Sequence, residues 1–195
     1  MQAHAESYIG LVEVGVGLVP GWGGCKEMLT RAMLNPKRPQ GPMPPIAQVF
    51  ETVGLAKVGK SAAESRELMY LRPTDGITMN RDRLLADAKV RALELAADYR
   101  PPEPVALRLP GPTARAAVGM VVEGFVQQGK ATPHDIVVSA ALGEVLSGGD
   151  TDITVELGEE DLLALERRAF MALIRTPGTI ARIEHMLNTG KPLRN

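Results

Sequence analysis

The stretch Ser7-Tyr8-Ile9-Gly10-Leu11-Val12-Glu13-Val14-Gly15-Val16-Gly17-Leu18-Val19-Pro20-Gly21-Trp22-Gly23-Gly24 decides how the rest of the chain is read. Its β-branched residues favour extended backbone, whereas glycines at 10, 15 and 17 interrupt that preference, a pattern of short strands or close backbone approaches. The run then breaks at Pro20-Gly21-Trp22-Gly23-Gly24. Past the turn, Cys25 to Leu34 can form a helix with Met28, Leu29 and Ala32 on one side, stopped by Asn35-Pro36 because the residue before a proline is pushed out of the α region.

Working outward, the chain becomes helical. A Pro-rich linker runs from Pro36 to Pro45, after which Ile46, Val49, Phe50 and Val53 repeat at i, i+3, i+4 and i+7, the apolar face of a helix closed by Gly54. Ser61-Ala62-Ala63-Glu64 is a capping box that predicts a helix start. Asn80 is a suitable N-cap for a longer helix carrying Leu84, Leu85, Ala88, Ala92 and Leu95, ended near Tyr99 by Pro101-Pro102. Four more helices are signposted. Thr113 to Gln128 is apolar at Ala117, Met120, Val121 and Phe125 and closes on Gly129. Thr132-Pro133 opens a helix over 133–147 that ends on Gly148-Gly149. Glu159, Glu160 and Asp161 place negative charge at a helix N-terminus ahead of the stripe Leu162, Leu165, Ala169, Phe170 and Leu173. Thr176-Pro177 starts the last helix, which ends before Gly190.

Composition narrows the classes of function. The 195 residues allow one domain by the usual prior of about 100–200 residues each. Hydrophobic residues are 45% and charged residues 23% of the chain, enough apolar material for a core and unlike a disordered composition. Twenty-two Lys and Arg against 23 Asp and Glu give a net charge of −1, so the global positive field of a nucleic-acid binder is missing. A single cysteine, Cys25, cannot close an intramolecular disulfide, and no Cys/His cluster has zinc-ligand spacing, which points to a reducing, cytoplasmic setting with no metal. No apolar run approaches the roughly 18 residues of a membrane span, so no membrane insertion is expected.

Among chemistry-bearing residues, most have an ordinary structural explanation. Gly15-x-Gly17-x-x-Pro20 has proline where a dinucleotide fingerprint needs its third glycine, and no Gly-Lys-Ser/Thr completes a Walker loop. His4, His134 and His185 stand apart from one another and from triad partners. Cys25 lies near a helix N-terminus, where the dipole favours a thiolate, but no base is recognisable beside it. Glu13 differs: it is one of the few charges in an apolar stretch, and a carboxylate in apolar surroundings has its pKa raised toward the range useful for acid–base work. A solvated glutamate at a strand edge is the plain alternative.

The segment from Ala5 to Gly24 resembles the second catalytic motif of the crotonase (enoyl-CoA hydratase/isomerase) superfamily, in which a glycine, two residues and a glutamate precede a Gly-x-x-Pro-Gly-x-Gly-Gly turn into a helix. Phe50 to Lys57, Leu85 to Lys89 and Met186 to Asn195 further resemble the helical tail of bacterial β-oxidation proteins that join an NAD-binding 3-hydroxyacyl-CoA dehydrogenase to a crotonase domain. The resemblance implies a mainly α fold that is the C-terminal portion of a crotonase-like fold, a short strand and Gly-rich turn followed by a helical bundle. It divides the chain into residues 1–60, a truncated second half of the crotonase core, and residues 61–195, a helical C-terminal region. It implies that Glu13 is a catalytic carboxylate working on the double bond of an enoyl-CoA, and that Gly21, Trp22, Gly23, Gly24 and Cys25 border the substrate. A CoA thioester would be the substrate, with NAD used only in a dehydrogenase domain outside this chain.

In that family a second glutamate and the amides of an oxyanion hole come from an upstream half. The chain alone is therefore expected to be inert, with acyl-CoA a ligand of the complete protein, and with self-association or the upstream domains as partners. A different class of function, a non-catalytic helical docking or assembly module, is the alternative.

Overall fold

The computed structural model describes all 195 residues, and the chain is mainly α-helical. It divides into two compact units: residues 1–10 with 58–104, and residues 11–57 with 105–195.

The smaller unit is built on short ladders. Strand β1 (Gln2–His4) pairs in parallel with β4 (Gly76–Thr78), and β2 (Ile9–Gly10) pairs antiparallel with β3 (Val58–Gly59). Ala3, Ala62 and Leu71 form its core, with Ile9 and Ile77 packed against them. Helix α3 (Ala62–Glu67) begins where the capping box predicts: the Glu64 amide donates to Ser61 Oγ at 3.1 Å. Asn80 caps a 3₁₀ turn, Arg81–Arg83, which runs into α4 (Leu84–Ala97). No residue of α4 is buried, so the apolar positions Leu85, Leu93 and Leu95 lie open.

The larger unit is a packed set of helices: α1 (Gly24–Met33), α2 (Met43–Gly54), α5 (Pro112–Gln127), α6 (Pro133–Ser147), α7 (Glu159–Leu173) and α8 (Pro177–Thr189). A two-residue ladder between β5 (Leu107–Arg108) and β6 (Glu156–Leu157) is its only sheet. Helix α6 packs against α1, α2, α5 and α7, and its Leu142 and Leu146 are fully buried beside Leu29, Ile46 and Val49 in the unit's core. Both sides of α6 are occupied, which is why its buried residues circle the helix instead of forming one stripe. Helix α6 opens with a complete capping box in which Thr132 Oγ1 and the Asp135 carboxylate each accept the other's amide. None of the helices is long and apolar enough to cross a membrane.

The architecture corrects the fold that the crotonase resemblance implies. A crotonase domain is β-rich, whereas this chain has three separate, unclosed two-stranded ladders of two or three residues per strand. The chain is thus not the C-terminal portion of a crotonase-like fold, and a dehydrogenase–crotonase fusion is not what its fold supports. The local cause lies in the glycines. The short strand at Ile9–Gly10 gives way to a 3₁₀ turn over Glu13–Val16, closed by Gly17 in the left-handed region at φ 83°. Gly15 N and Gly17 N donate back three residues, to Val12 and Val14 carbonyls, which uses within the turn the groups a sheet would need.

Candidate functional site

Glu13 starts that 3₁₀ turn, and α8 holds the turn in place. Thr179 Oγ1 donates to the Gly17 carbonyl at 2.7 Å, and Arg182 Nη1 reaches the Val14 carbonyl at 3.4 Å. Behind these contacts sits a buried polar network. His134 Nε2 meets Thr179 Oγ1 at 2.9 Å, and Arg182, itself buried, donates to Asp135 Oδ1 at 2.8 Å and Asn195 Oδ1 at 2.8 Å. The Asn195 carbonyl accepts from the His134 amide and its side chain donates to Gly178 O, so the terminal residue closes the network. The Asp135 carboxyl is opposed by burial, yet hydrogen bonds from Thr132 and the Arg182 guanidinium hold it below its usual range. Burial and the Arg182 charge push the His134 imidazole down, against the weaker opposing pull of Asp135.

Within this setting one oxygen of Glu13, Oε2, is buried and has no hydrogen-bond partner. Buried carboxylate oxygens are normally satisfied, because leaving one unpaired costs desolvation without return. An acceptor held this way is ready for a donor that the folded chain does not itself supply.

The Gly-rich turn is organised by a residue far along the chain. Gly23, the N-cap of α1, lies at φ 93°, a conformation that disfavours a side chain, and its amide donates to Glu166 Oε2 at 2.5 Å. Lys26 N donates to Glu166 Oε1 at 2.6 Å. The first-turn amides of α1 therefore converge on a fully buried carboxylate of α7, in the manner of an anion at a helix N-terminus. Burial raises the Glu166 pKa, and the amides of Gly23, Cys25 and Lys26 and the Lys26 charge only partly offset it. Lys26 Nζ bridges Glu27 and Glu159, fixing α1 against the start of α7.

The predicted site residues fall into different surroundings. Gly21 packs against the Phe170 ring, and Gly24 begins α1. Trp22 is 96% exposed, at the tip of the turn, whereas Cys25 is fully buried. Burial, and after it the charges of Glu166 and Glu13, push the Cys25 thiol well above its ordinary range, so it is a protonated core residue. A dinucleotide does not fit this loop. Gly15 and Gly17 belong to a 3₁₀ turn and not to a strand-to-helix crossover, and the α1 amides a pyrophosphate would need are engaged by Glu166.

Sequence reasoning missed Glu166, Thr179 and Arg182. Glu166 follows Leu162 by four positions, on the face that carries the apolar stripe of α7, and that placement was the available signal.

Two curated proteins are similar to the chain. The "Probable 3-hydroxyacyl-CoA dehydrogenase" of Bacillus subtilis (strain 168) is 42% identical over 196 residues, covering 100% of this chain and 24% of that protein. The "Putative fatty acid oxidation complex trifunctional enzyme" of Rickettsia prowazekii (strain Madrid E) is 26% identical over 182 residues, covering 93% of this chain and 22% of that protein. No family model matches. The chain thus spans about a quarter of the curated relatives it matches. From end to end it is homologous to one segment of a 3-hydroxyacyl-CoA dehydrogenase, and more distantly to a segment of a fatty acid oxidation trifunctional enzyme.

Proposed function

We propose that this chain is the helical segment of a fatty acid β-oxidation enzyme acting on acyl-CoA thioesters, that it supplies the Glu13 carboxylate to the reacting centre, and that it is inert alone. The observation that carries the reading is the buried, unpartnered Oε2 of Glu13 in a chain homologous throughout to a dehydrogenase of acyl-CoA esters. Adding water across an enoyl thioester requires a proton taken from water and another delivered to the α-carbon, and a positioned carboxylate with a free lone pair suits the first task. In this reading Gly21, Gly23 and Gly24 shape the turn beside the acyl group, Trp22 covers it, and Cys25 forms the wall beneath. NAD is held by a part of the parent protein outside this chain.

The test compares the isolated chain with a chimera in which it replaces the matching segment of the Bacillus subtilis relative. Both are assayed with crotonyl-CoA and, separately, with 3-hydroxybutyryl-CoA and NAD. The reading predicts turnover by the chimera and none by the isolated chain. Turnover by the isolated chain at the chimera's rate, or a well-folded chimera without activity on either substrate, contradicts it.

A second reading, a docking or assembly module, is favoured by the open apolar residues of α4, Leu85 at 82% and Leu93 at 63% exposure. It predicts a concentration-dependent oligomer in light scattering that Leu85→Glu with Leu93→Glu dissolves, with no affinity for acyl-CoA.

A further inference from the structure

Two carbonyls of the turn that carries Glu13 are held from α8, Gly17 O by Thr179 Oγ1 at 2.7 Å and Val14 O by Arg182 Nη1 at 3.4 Å. They bracket the turn: Val14 follows Glu13 directly, and Gly17 is the left-handed residue that closes it. Both donors are buried, and a Cβ on Gly17 would lie 3.1 Å from Thr179 Cα, so α8 and the turn are in close contact. No hydrogen bond of its own fixes Glu13 Oε2, so the backbone of the turn sets where that oxygen sits.

Both donors depend on one residue. Asn195 Oδ1 accepts from Arg182 Nε at 2.8 Å, its Nδ2 donates to Gly178 O at 3.1 Å, and its backbone carbonyl accepts from His134 N at 3.1 Å. Each partner is a donor to the turn or stands next to one: Arg182 itself, Gly178 before Thr179, and His134, whose Nε2 lies 2.9 Å from Thr179 Oγ1. Arg182 Nη2 donates to Thr132 Oγ1 at 3.1 Å and Asp135 Oδ1 at 2.8 Å, the capping pair of α6. With Asn195 in place all three guanidinium nitrogens have acceptors, in the one orientation from which Nη1 reaches Val14. Without that side chain Nε is buried and unsatisfied, a cost that the guanidinium relieves by turning, which withdraws Nη1 from the turn.

We propose that Asn195 is a positioning residue for Glu13: through Arg182 and Thr179 it fixes the 3₁₀ turn where the carboxylate meets the reacting centre. The inference rests on the reading of Glu13 given above. A general acid or base works only within hydrogen-bond reach of the proton it moves, and a misplacement of about 1 Å costs about 10²-fold in rate.

The experiment compares Asn195→Ala and Asn195→Asp in the chimera described above. It reads kcat and KM for crotonyl-CoA hydration, the rate of NAD-dependent oxidation of 3-hydroxybutyryl-CoA, and hydrogen–deuterium exchange over residues 12–18. Asn195→Ala should lower the hydration kcat by about ten- to a hundred-fold with KM unchanged, leave oxidation intact, and speed exchange in the peptide carrying the Gly15, Gly17 and Leu18 amides. Asn195→Asp keeps the acceptor for Arg182 Nε and should restore most of the hydration rate. An unchanged hydration kcat in Asn195→Ala overturns the proposal, as does an Asn195→Asp variant equally slow. Equal losses of hydration and oxidation, with faster exchange throughout the larger unit, show a structural role alone and overturn it too. Glu13→Gln separates the proposal from the reading beneath it. If glutamine abolishes hydration while Asn195→Ala is silent, only the positioning role fails; if glutamine leaves hydration unchanged, both fail.

Discussion

The amide of Gly23 and the carboxylate of Glu166, 143 residues apart, are joined by a 2.5 Å hydrogen bond that ties the Gly-rich turn to α7. Glu166 accepts a second amide, that of Lys26, at 2.6 Å, so a single side chain satisfies first-turn donors of α1 that the helix cannot satisfy itself. Glu166→Gln replaces one acceptor oxygen by an amino group facing those donors. The substitution should cost about 1–3 kcal/mol in urea unfolding, the usual cost of unsatisfied buried groups. A change under a few tenths of that range would show that the contact is incidental.

The same carboxyl sets a pH dependence. Because its folded pKa is raised above the ordinary value of 4.5, the folded state holds the proton more tightly than the unfolded chain. Its contribution is therefore fully present below 4.5 and is lost as pH rises through the raised value. Urea midpoints taken across this window should fall with rising pH in the wild type and fall less steeply in Glu166→Gln, which lacks the titrating group. Identical slopes in both proteins would contradict the assignment.

Much of this organisation is legible in the sequence, though unevenly. The caps at Ser61, Thr132 and Thr176 mark helix starts that the structure places within a residue, because capping is local chemistry written in neighbouring residues. Of the short strands or close backbone approaches expected in this stretch, one short strand forms at Ile9–Gly10 and ends there, since β preference acts only where a partner strand exists, and glycines at 15 and 17 favour a turn. On α5 the apolar residues surround most of the helix, so periodicity selects Ala117, Met120, Val121 and Phe125, whereas the helix buries Ala114, Val118 and Val122 and leaves Met120 and Val121 exposed. Glu13 was visible as a charge in an apolar stretch. Thr179 and Arg182 were not, because their roles depend on contacts more than a hundred residues away in the chain, and Glu166 shows in the sequence only as a charge on the apolar face of α7.

His134 predicts an acid-side sensitivity. Its imidazole is buried and held below its ordinary 6.5, so the neutral ring belongs to the folded state. Stability from this group is complete above 6.5 and declines as pH falls from there through the depressed value. Melting temperatures followed downward from neutral pH should drop more in the wild type than in His134→Gln, which keeps a polar partner for Thr179. Parallel curves would remove His134 from the account.

Arg182 and Asp135 predict a large single-site effect. Arg182 is buried, and Asp135 Oδ1 at 2.8 Å is its only carboxylate partner. Asp135→Asn leaves that guanidinium uncompensated and should cost about 3 kcal/mol, the lower end for a broken buried pair because Asp135 is itself partly exposed. The doubly substituted Asp135→Asn, Arg182→Met should recover part of the loss. A double variant as unstable as the sum of the two single ones would show that the residues are not coupled.

Gly17 predicts a backbone effect at the turn that carries Glu13. It sits at φ 83°, and a Cβ there would lie 2.8 Å from Thr179 Oγ1. Gly17→Ala should therefore cost about 1–2 kcal/mol from conformation alone, with more from the displaced threonine. Equal stability of the variant would mean that the turn readily adopts another form.

The most direct measurement is the steady-state rate of crotonyl-CoA hydration by the chimera carrying Glu13→Gln, with its NAD-dependent oxidation of 3-hydroxybutyryl-CoA measured alongside. If Glu13 supplies the acid–base group, hydration falls by about 10²–10⁴-fold while oxidation is unchanged. Equal hydration rates with Glu13 and with glutamine would contradict the claim that this segment contributes a reacting carboxylate.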